Sequence, residues 1–285
     1  MPLILDGKIA AQAVKDLIQK DLNAISASGK IPGLAVVLVG DNPASVVYVG
    51  MKKKACEALG YYSQEHRLPR DIPEEELLRV VRSLNADPRI HGILVQLPLP
   101  GHLQADRIID AMDPRKDVDG LHPANLGKLL AGEKGLRPCT PLGVMTLLEY
   151  FKVPVSGKEA VVIGRSNLVG KPLGLLLLEA NATVTFCHSR TPHLGETVRR
   201  ADLVVAAIGK PRFVTADMIR PGAVVVDVGT SKTEDGKLAG DVDYENAASK
   251  ASAISPVPGG VGPMTIALLL KNTFQAFLEQ TGLSI

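Results

Sequence analysis

The chain has no tryptophan, five tyrosines, five phenylalanines and three cysteines among its 285 residues. So few aromatics argue against a surface that stacks nucleic-acid bases and against an aromatic belt at a membrane interface. An excess of one charge is missing as well: 32 Lys and Arg against 30 Asp and Glu leave a formal net charge of +2, with the basic residues spread along the chain. That is too little for an electrostatic footprint on nucleic acid, which is therefore not expected as a partner. Apolar runs such as residues 266–270 are short, far below the ~20 residues that span a bilayer. Residues 1–8 hold too brief an apolar stretch for a signal peptide. Cys56, Cys139 and Cys187 are odd in number, widely spaced and set in apolar stretches. They fit neither a disulfide framework nor a metal pattern and read as small buried hydrophobes. These absences lead to the expectation of a soluble, cytoplasmic protein with no membrane partner.

What is present is material for a full core, with 46% hydrophobic and 22% charged residues. The length favours two domains or one large α/β domain. Aliphatic runs at 34–39, 93–95, 160–163, 183–186, 203–206 and 223–226 are continuous rather than alternating. A parallel sheet covered on both faces requires strands of that kind. Helical periodicity lies between them, for example over 7–27 and 74–84, so the order predicts a doubly wound α/β architecture. Residues 112–141 are rich in Gly, Pro and charge and show no clear strand. They read as a cleft-lining loop followed by linking helices. The last helix, about 263–280, either closes the second domain or crosses back to the first.

Gly164-Arg165-Ser166 follows the 160–163 strand, and a helix opens from Val169 with Pro172 in its first turn, where proline is tolerated. A glycine-bearing strand-to-helix turn is the geometry that receives a pyrophosphate. The match to Gly-x-Gly-x-x-Gly is incomplete: serine stands at the second glycine position and Gly170 sits one residue late. A plain tight turn would look the same. The 183–186 strand comes roughly twenty residues later, where a Rossmann unit reads the adenosine ribose. NAD-selective sites place Asp or Glu there, whereas this strand ends in Cys187-His188-Ser189-Arg190-Thr191. Arg190, with Ser189 and Arg165 nearby, suits a 2′-phosphate through charge-assisted hydrogen bonds; the alternative is a solvated loop arginine. NADP is favoured over NAD. Ala206-Ala207-Ile208-Gly209-Lys210 and Asp227-Val228-Gly229-Thr230-Ser231 follow two further strands. Ligands bind at strand carboxyl ends in such sheets, so both loops are expected on the nicotinamide side.

On a helix running from Ser45, the apolar face reads as Val47, Met51, Ala55, Ala58 and Leu59, with Tyr48 and Lys52 one turn apart on the adjacent ridge. A lone lysine there usually snorkels over apolar surface. Beside a phenol and partly buried, its pKa falls, because desolvation opposes the charged form. Such an amine exchanges protons near neutral pH, an effect of ~10²–10⁴-fold on a rate. Gln96 ends an otherwise apolar strand, and an unpaired buried amide costs ~1–3 kcal/mol; backbone and ligand are equally able to pair with it. Asp117 and Asp119 either shape an Asx turn or present a carboxylate to a donor-rich heterocycle such as an aminopyrimidinone. Together with His122 they are too little for a metal site, and none is expected.

Taken in order, several blocks resemble one family. They are Pro43-Ala44-Ser45…Tyr48…Lys52, Gly92-Ile93-Leu94-Val95-Gln96-Leu97-Pro98-Leu99-Pro100, Lys116-Asp117-Val118-Asp119-Gly120, Pro138-Cys139-Thr140-Pro141, Gly164-Arg165-Ser166 and Pro256-Val257-Pro258-Gly259-Gly260-Val261-Gly262-Pro263-Met264-Thr265. The chain resembles bifunctional methylenetetrahydrofolate dehydrogenase/methenyltetrahydrofolate cyclohydrolase over essentially its whole length. That resemblance implies an N-terminal three-layer α/β domain over 1–138 that binds folate. A C-terminal Rossmann-type NADP-binding domain over 139–263 is implied beside it, with a cleft between the two and helix 264–285 packing back onto the first. It implies oxidation of 5,10-methylenetetrahydrofolate by NADP+, then hydrolysis to 10-formyltetrahydrofolate, in a homodimer. By similarity Lys52 carries the proton transfer of the second step, Tyr48 and Gln96 position and tune it, and Asp119 anchors the pterin. Pro258, Gly259 and Gly262 correspond to positions shaping the folate pocket. Gly164, Arg165, Ser166, Ser189, Arg190 and Thr230 are the expected cofactor contacts. Two departures stand out: Thr230-Ser231 where many members carry Ile-Asn, and Ser255 where threonine is common. A dehydrogenase of the shikimate or amino-acid type shares the architecture, but predicts a hydroxy-acid or carboxylate site and no cyclohydrolase. A catalytically dead binding protein predicts loss of Lys52 or Asp119, and both are intact.

Overall fold

The structure is a computed structural model that describes residues 1–233 and 236–285. In chain order the strands are β1 (Leu3–Ile4), β2 (Gly33–Val39), β3 (Tyr62–Leu68), β4 (Gly92–Val95), β5 (Glu159–Ile163), β6 (Thr183–Cys187), β7 (Leu203–Ala206), β8 (Val224–Asp227), β9 (Ser231–Lys232), β10 (Leu238–Ala239) and β11 (Ala253–Ile254). The helices are α1 (Gly7–Ala24), α2 (Pro43–Ala58), α3 (Glu74–Ala86), α4 (Ala105–Asp110), α5 (Pro123–Leu130), α6 (Cys139–Tyr150), α7 (Gly170–Glu179), α8 (Leu194–Arg199), α9 (Tyr244–Ala248) and α10 (Val261–Thr281). They divide into two compact units, Ala13–Cys139 with Ile266–Ile285, and Met1–Gln12 with Thr140–Thr265. Among the described residues no helix is long and apolar enough to cross a membrane.

The first unit is built on a parallel sheet of order β3-β2-β4. β2 is buried at all seven positions, as its unbroken aliphatic run requires of a central strand. β3 reads Tyr-Ser-Gln-Glu-His-Arg-Leu, half-buried, and pairs only with β2 at the sheet edge. An edge strand with one face in water needs no aliphatic run, so apolar content did not announce it. α3 follows the helical pattern closely: Leu77, Leu78, Val81 and Leu84 are buried, and Glu74, Glu75 and Glu76 oppose the dipole at its first turn. α10 seals this unit. Leu268, Leu269, Leu270 and Phe277 are buried, the Tyr61 hydroxyl donates to the Leu270 carbonyl at 3.1 Å, and the Gln280 amide donates to the His91 carbonyl at 2.8 Å.

The second unit carries a six-stranded sheet of order β1-β11-β8-β7-β5-β6, parallel throughout. From β5 the chain steps to β6 on one side and then crosses to β7 on the other. The carboxyl ends of β5 and β7 therefore flank a topological switch point, the place where such sheets bind ligands. Residues 1–12, assigned from sequence to the first domain, group with this sheet instead. Leu3 and Ile4 pair with Ala253 and Ile254, and the Gly7 N–H donates to the Gly259 carbonyl at 2.8 Å. A two-residue strand is too short to show periodicity; only its partner gives it away.

Candidate functional site

α2 starts behind Asn42, whose side chain accepts from the Ala44 and Ser45 amides, and Pro43 occupies its first turn. Its buried stripe is Ser45, Val49, Lys52 and Cys56. This corrects the expected apolar face: Val47 and Met51 are 61% and 46% exposed, while Lys52 is 6% exposed. The i, i+4, i+7, i+11 spacing puts the amine on the helix face turned to the protein, not on its border. Nζ donates to Gln96 Oε1 at 2.8 Å. Gln96 sits just past β4, and its own Nε2 donates to the Leu97 carbonyl at 2.7 Å. That second bond fixes which way the amide faces, so the oxygen is presented to Lys52. Backbone and a side chain thus share the pairing that the sequence left open. Tyr48 lies half-buried one turn before Lys52 on the same helix.

The segment carrying the aspartates runs beside β4: Ile93 bridges to Asp117 in parallel fashion and its N–H donates to the Lys116 carbonyl at 2.7 Å. Asp117 is fully buried, and its Oδ2 accepts from the His122 amide and from Asn125 Nδ2, both at 2.8 Å. It shapes the turn into α5, where His122 is the N-cap and its Nδ1 accepts from the Ala124 amide. Asp119 differs. Burial pushes its carboxyl pKa up, and the main opposing influence is Lys52. Burial in turn pulls the Lys52 amine below its usual value, against the attraction of Asp119. Cys139, Sγ donating to the Val118 carbonyl at 3.1 Å, backs the same turn. Asn272 on α10 donates to the Val118 and Arg137 carbonyls at 2.9 and 2.8 Å. Tyr48, Lys52, Gln96 and Asp119 all belong to the three-stranded unit. Asn272, far away in sequence and polar in an apolar helix, was not singled out.

In the six-stranded unit β5 is followed at once by Gly164, which has φ 140°; a Cβ there would lie 2.3 Å from the Ala207 carbonyl oxygen. A Cβ on Gly170 would lie 2.4 Å from the Gly164 carbonyl oxygen. The turn is therefore closed on itself at the start of α7, with Ser166 Oγ accepting from the Val169 and Gly170 amides at 3.1 and 3.4 Å. The close helix-to-strand contact that a Rossmann unit assigns to its last glycine falls to Gly174, whose missing Cβ would meet the Phe186 ring at 2.0 Å. That glycine lies outside the motif window and sequence reading passed it over. Arg165 lies near the start of the loop after β5, and Ser189 and Arg190 follow β6, its hydrogen-bonded neighbour. All three are exposed, and among the described residues neither guanidinium has an ion-pair partner. Thr230 is exposed just past β8. Pro258, Gly259 and Gly262 are in this unit too, on the turn before α10 and its first residues, and Gly259 has φ 110°. Ser255 is fully buried, and its hydroxyl accepts the Asp227 amide at 2.8 Å, a bond that threonine would also make.

Comparison with known proteins gives a consistent match. Models of the catalytic domain and the NAD(P)-binding domain of tetrahydrofolate dehydrogenase/cyclohydrolase match residues 5–119 and 138–281. The bifunctional protein FolD of Moorella thermoacetica is 55% identical over 273 residues, covering 96% of this chain and 98% of that protein. The crystal structure of the bifunctional methylenetetrahydrofolate dehydrogenase/cyclohydrolase from Campylobacter jejuni is similar with a TM-score of 0.94 at 47% identity, covering 97% of this chain and 98% of that one. The Trypanosoma brucei enzyme, complexed with NADP cofactor and an inhibitor, is similar with a TM-score of 0.94 at 37% identity, covering 98% of each chain.

Proposed function

The chain belongs to the tetrahydrofolate dehydrogenase/cyclohydrolase family, and from that premise we propose that it oxidises 5,10-methylenetetrahydrofolate with NADP+ and hydrolyses the product to 10-formyltetrahydrofolate. In the first step hydride leaves the methylene carbon, giving the methenyl cation and NADPH. In the second, water adds to that carbon and loses one proton; the hydroxyl's remaining proton passes to N5 as the bond to N5 breaks and the C=O forms, and the formyl group stays on N10.

The observation that carries the reading is the Lys52–Gln96 pair. Burial lowers the pKa of this amine, so it gives up its proton more readily than an exposed lysine, and one of its N–H bonds is committed to Gln96 Oε1 at 2.8 Å. In its neutral form its lone pair takes the proton that the adding water sheds. Asp119, whose acidity is tied to Lys52, supplies the carboxylate that anchors the donor-rich pterin. Tyr48 lines the same face of α2.

NADP+, when bound, supplies the hydride acceptor. The second unit would hold it at the glycine-bearing turn from β5 into α7, where Gly164 and Gly170 let the backbone pass closer than a Cβ allows, and the exposed Arg165, Ser189 and Arg190 would meet a 2′-phosphate. Thr230 flanks the nicotinamide side. A second copy of the chain is the proposed partner, in the cytoplasm, and sedimentation should give a mass near twice 30.2 kDa. The functional test is NADPH absorbance during turnover of methylenetetrahydrofolate. NADPH formation supports the reading; no reduction of either NADP+ or NAD+ refutes it.

A further inference from the structure

The loop after β7 holds an arrangement that the reaction has not used. The amides of Ile208, Gly209 and Lys210 are consecutive, and Gly209 has φ 71°, in the left-handed region. Such a turn makes successive N–H groups converge into an anion-binding nest, the device that often cradles a phosphate. Here the anion is internal. Asp241 is fully buried, its Oδ2 accepts from Ile208 at 2.5 Å and Gly209 at 3.0 Å, and its Oδ1 accepts from Lys210 at 2.8 Å.

A second buried carboxylate holds the first. Asp227, at the end of β8, accepts from the Asp241 amide at 2.9 Å, from Val242 at 2.8 Å and from Gly229 at 2.9 Å. Two glycines make the space. A Cβ on Gly229 would lie 2.3 Å from the Asp241 carboxyl carbon, and one on Gly240 would lie 2.0 Å from Asp227 Oδ2. Six backbone N–H groups thus converge on two carboxylates, and neither has an ion-pair partner among the described residues. A buried charge left uncompensated is costly, so each carboxylate depends on its full set of donors, and the loops are held together with them. The loop so held is the one at the β5–β7 switch point, and Ala207 at its start is the residue that Gly164 packs against.

We propose that Asp241 is a positioning residue of the cofactor site, filling the nest of Ile208, Gly209 and Lys210 and so fixing the loop against which the nicotinamide half of NADP is placed. This rests on the NADP reading above. Because the three amides are turned inward, the loop presents its outer edge to the cofactor and offers those donors to no external phosphate.

The test compares wild type with Asp241→Ala and Asp241→Asn by NADPH fluorescence titration, amide hydrogen exchange, and cyclohydrolase turnover of methenyltetrahydrofolate without cofactor. The expectation for Asp241→Ala is NADPH binding weakened at least tenfold. Exchange should be faster at 208–210 while β5 and β7 stay protected, and cofactor-free cyclohydrolase should remain within twofold of wild type. Asp241→Asn keeps one acceptor oxygen and should fall between. NADPH affinity within twofold of wild type in Asp241→Ala overturns the proposal. So does a parallel fall of affinity and cyclohydrolase with exchange rising throughout both units, which marks a general structural role. A wild type that binds no NADPH refutes the cofactor reading instead, and the exchange arm still decides whether Asp241 orders the loop.

Discussion

Replacing Lys52 by methionine tests the proposed proton transfer with little disturbance of shape. Methionine is unbranched, of similar length and apolar, so it can occupy the space of a side chain that is 6% exposed. It removes the only group in the pair able to carry a proton at neutral pH. General acid–base catalysis contributes ~10²–10⁴-fold, about 3–5 kcal/mol of barrier at 1.36 kcal/mol per tenfold. Cyclohydrolase turnover of methenyltetrahydrofolate, followed by absorbance and corrected for the buffer reaction, should fall by that factor. Hydride transfer needs mainly apposition of the two rings, so NADPH formation should survive within about tenfold. Stability should change little. Gln96 Oε1 loses its 2.8 Å donor, at a cost near the low end of ~1–3 kcal/mol because Gln96 is half-buried and water can replace it. The desolvation of a buried amine disappears at the same time. Its lowered pKa also fixes the sign of a pH effect. Between the native and unfolded pKa values the unfolded state binds more protons, so wild-type stability rises with pH across the interval below 10.5. Urea midpoints should show that slope in wild type and a flatter one in Lys52→Met. Cyclohydrolase within a few fold of wild type would refute the proton-transfer role, and an unchanged slope would refute the buried amine.

Other consequences are equally open to measurement. Arg190→Ala should raise KM for NADP+ but not for NAD+. Hydrogen bonds to charged groups contribute ~1.5–3 kcal/mol, or roughly 10–150-fold, and equal effects on both cofactors would contradict the 2′-phosphate assignment. Gly170→Ala drives a Cβ to 2.4 Å from the Gly164 carbonyl oxygen. Overpacking of that kind costs ~1–3 kcal/mol, so calorimetry should show a lower Tm and NADPH titration a weaker complex; tight NADPH binding would mean the turn does not hold the cofactor. Asn272→Leu removes a donor from the Arg137 carbonyl and leaves the Val118 carbonyl with only the weaker Cys139 Sγ, at a cost of ~1–3 kcal/mol. Besides a lower Tm, it should weaken folate binding through the displaced Asp119 turn, and unchanged folate affinity would show that the clamp does not reach that side chain.

Strands buried on both faces, such as β2 and β7, were legible because an aliphatic run there has to be continuous; β6 was legible too, although it lies at the sheet edge with three of its five residues exposed. β3 was not, since Gln64, Glu65 and Arg67 satisfy an edge strand as readily as a loop. On α2 the Tyr48–Lys52 spacing was legible and the face was not. Periodicity assigned Val47 and Met51 to the interior by their hydrophobicity, whereas the buried lysine holds that side because Gln96 and Asp119 meet it there. Sequence order cannot reveal such partners. Gly174 and Asp241 illustrate the same limit, because each matters through a residue distant in sequence, Phe186 in one case and the 208–210 amides in the other. The family blocks remained readable because each is a short contiguous stretch of the chain.

The most direct measurement supplies purified enzyme with NADP+ and 5,10-methylenetetrahydrofolate labelled with ¹³C at the one-carbon unit, and follows the label by NMR alongside NADPH absorbance. The account predicts one NADPH per label converted, with the signal moving to the formyl position of 10-formyltetrahydrofolate. NADPH formation with the label halted at methenyltetrahydrofolate, beyond its spontaneous hydrolysis, would contradict the bifunctional claim. A label left in the methylene form without NADPH would contradict the account as a whole.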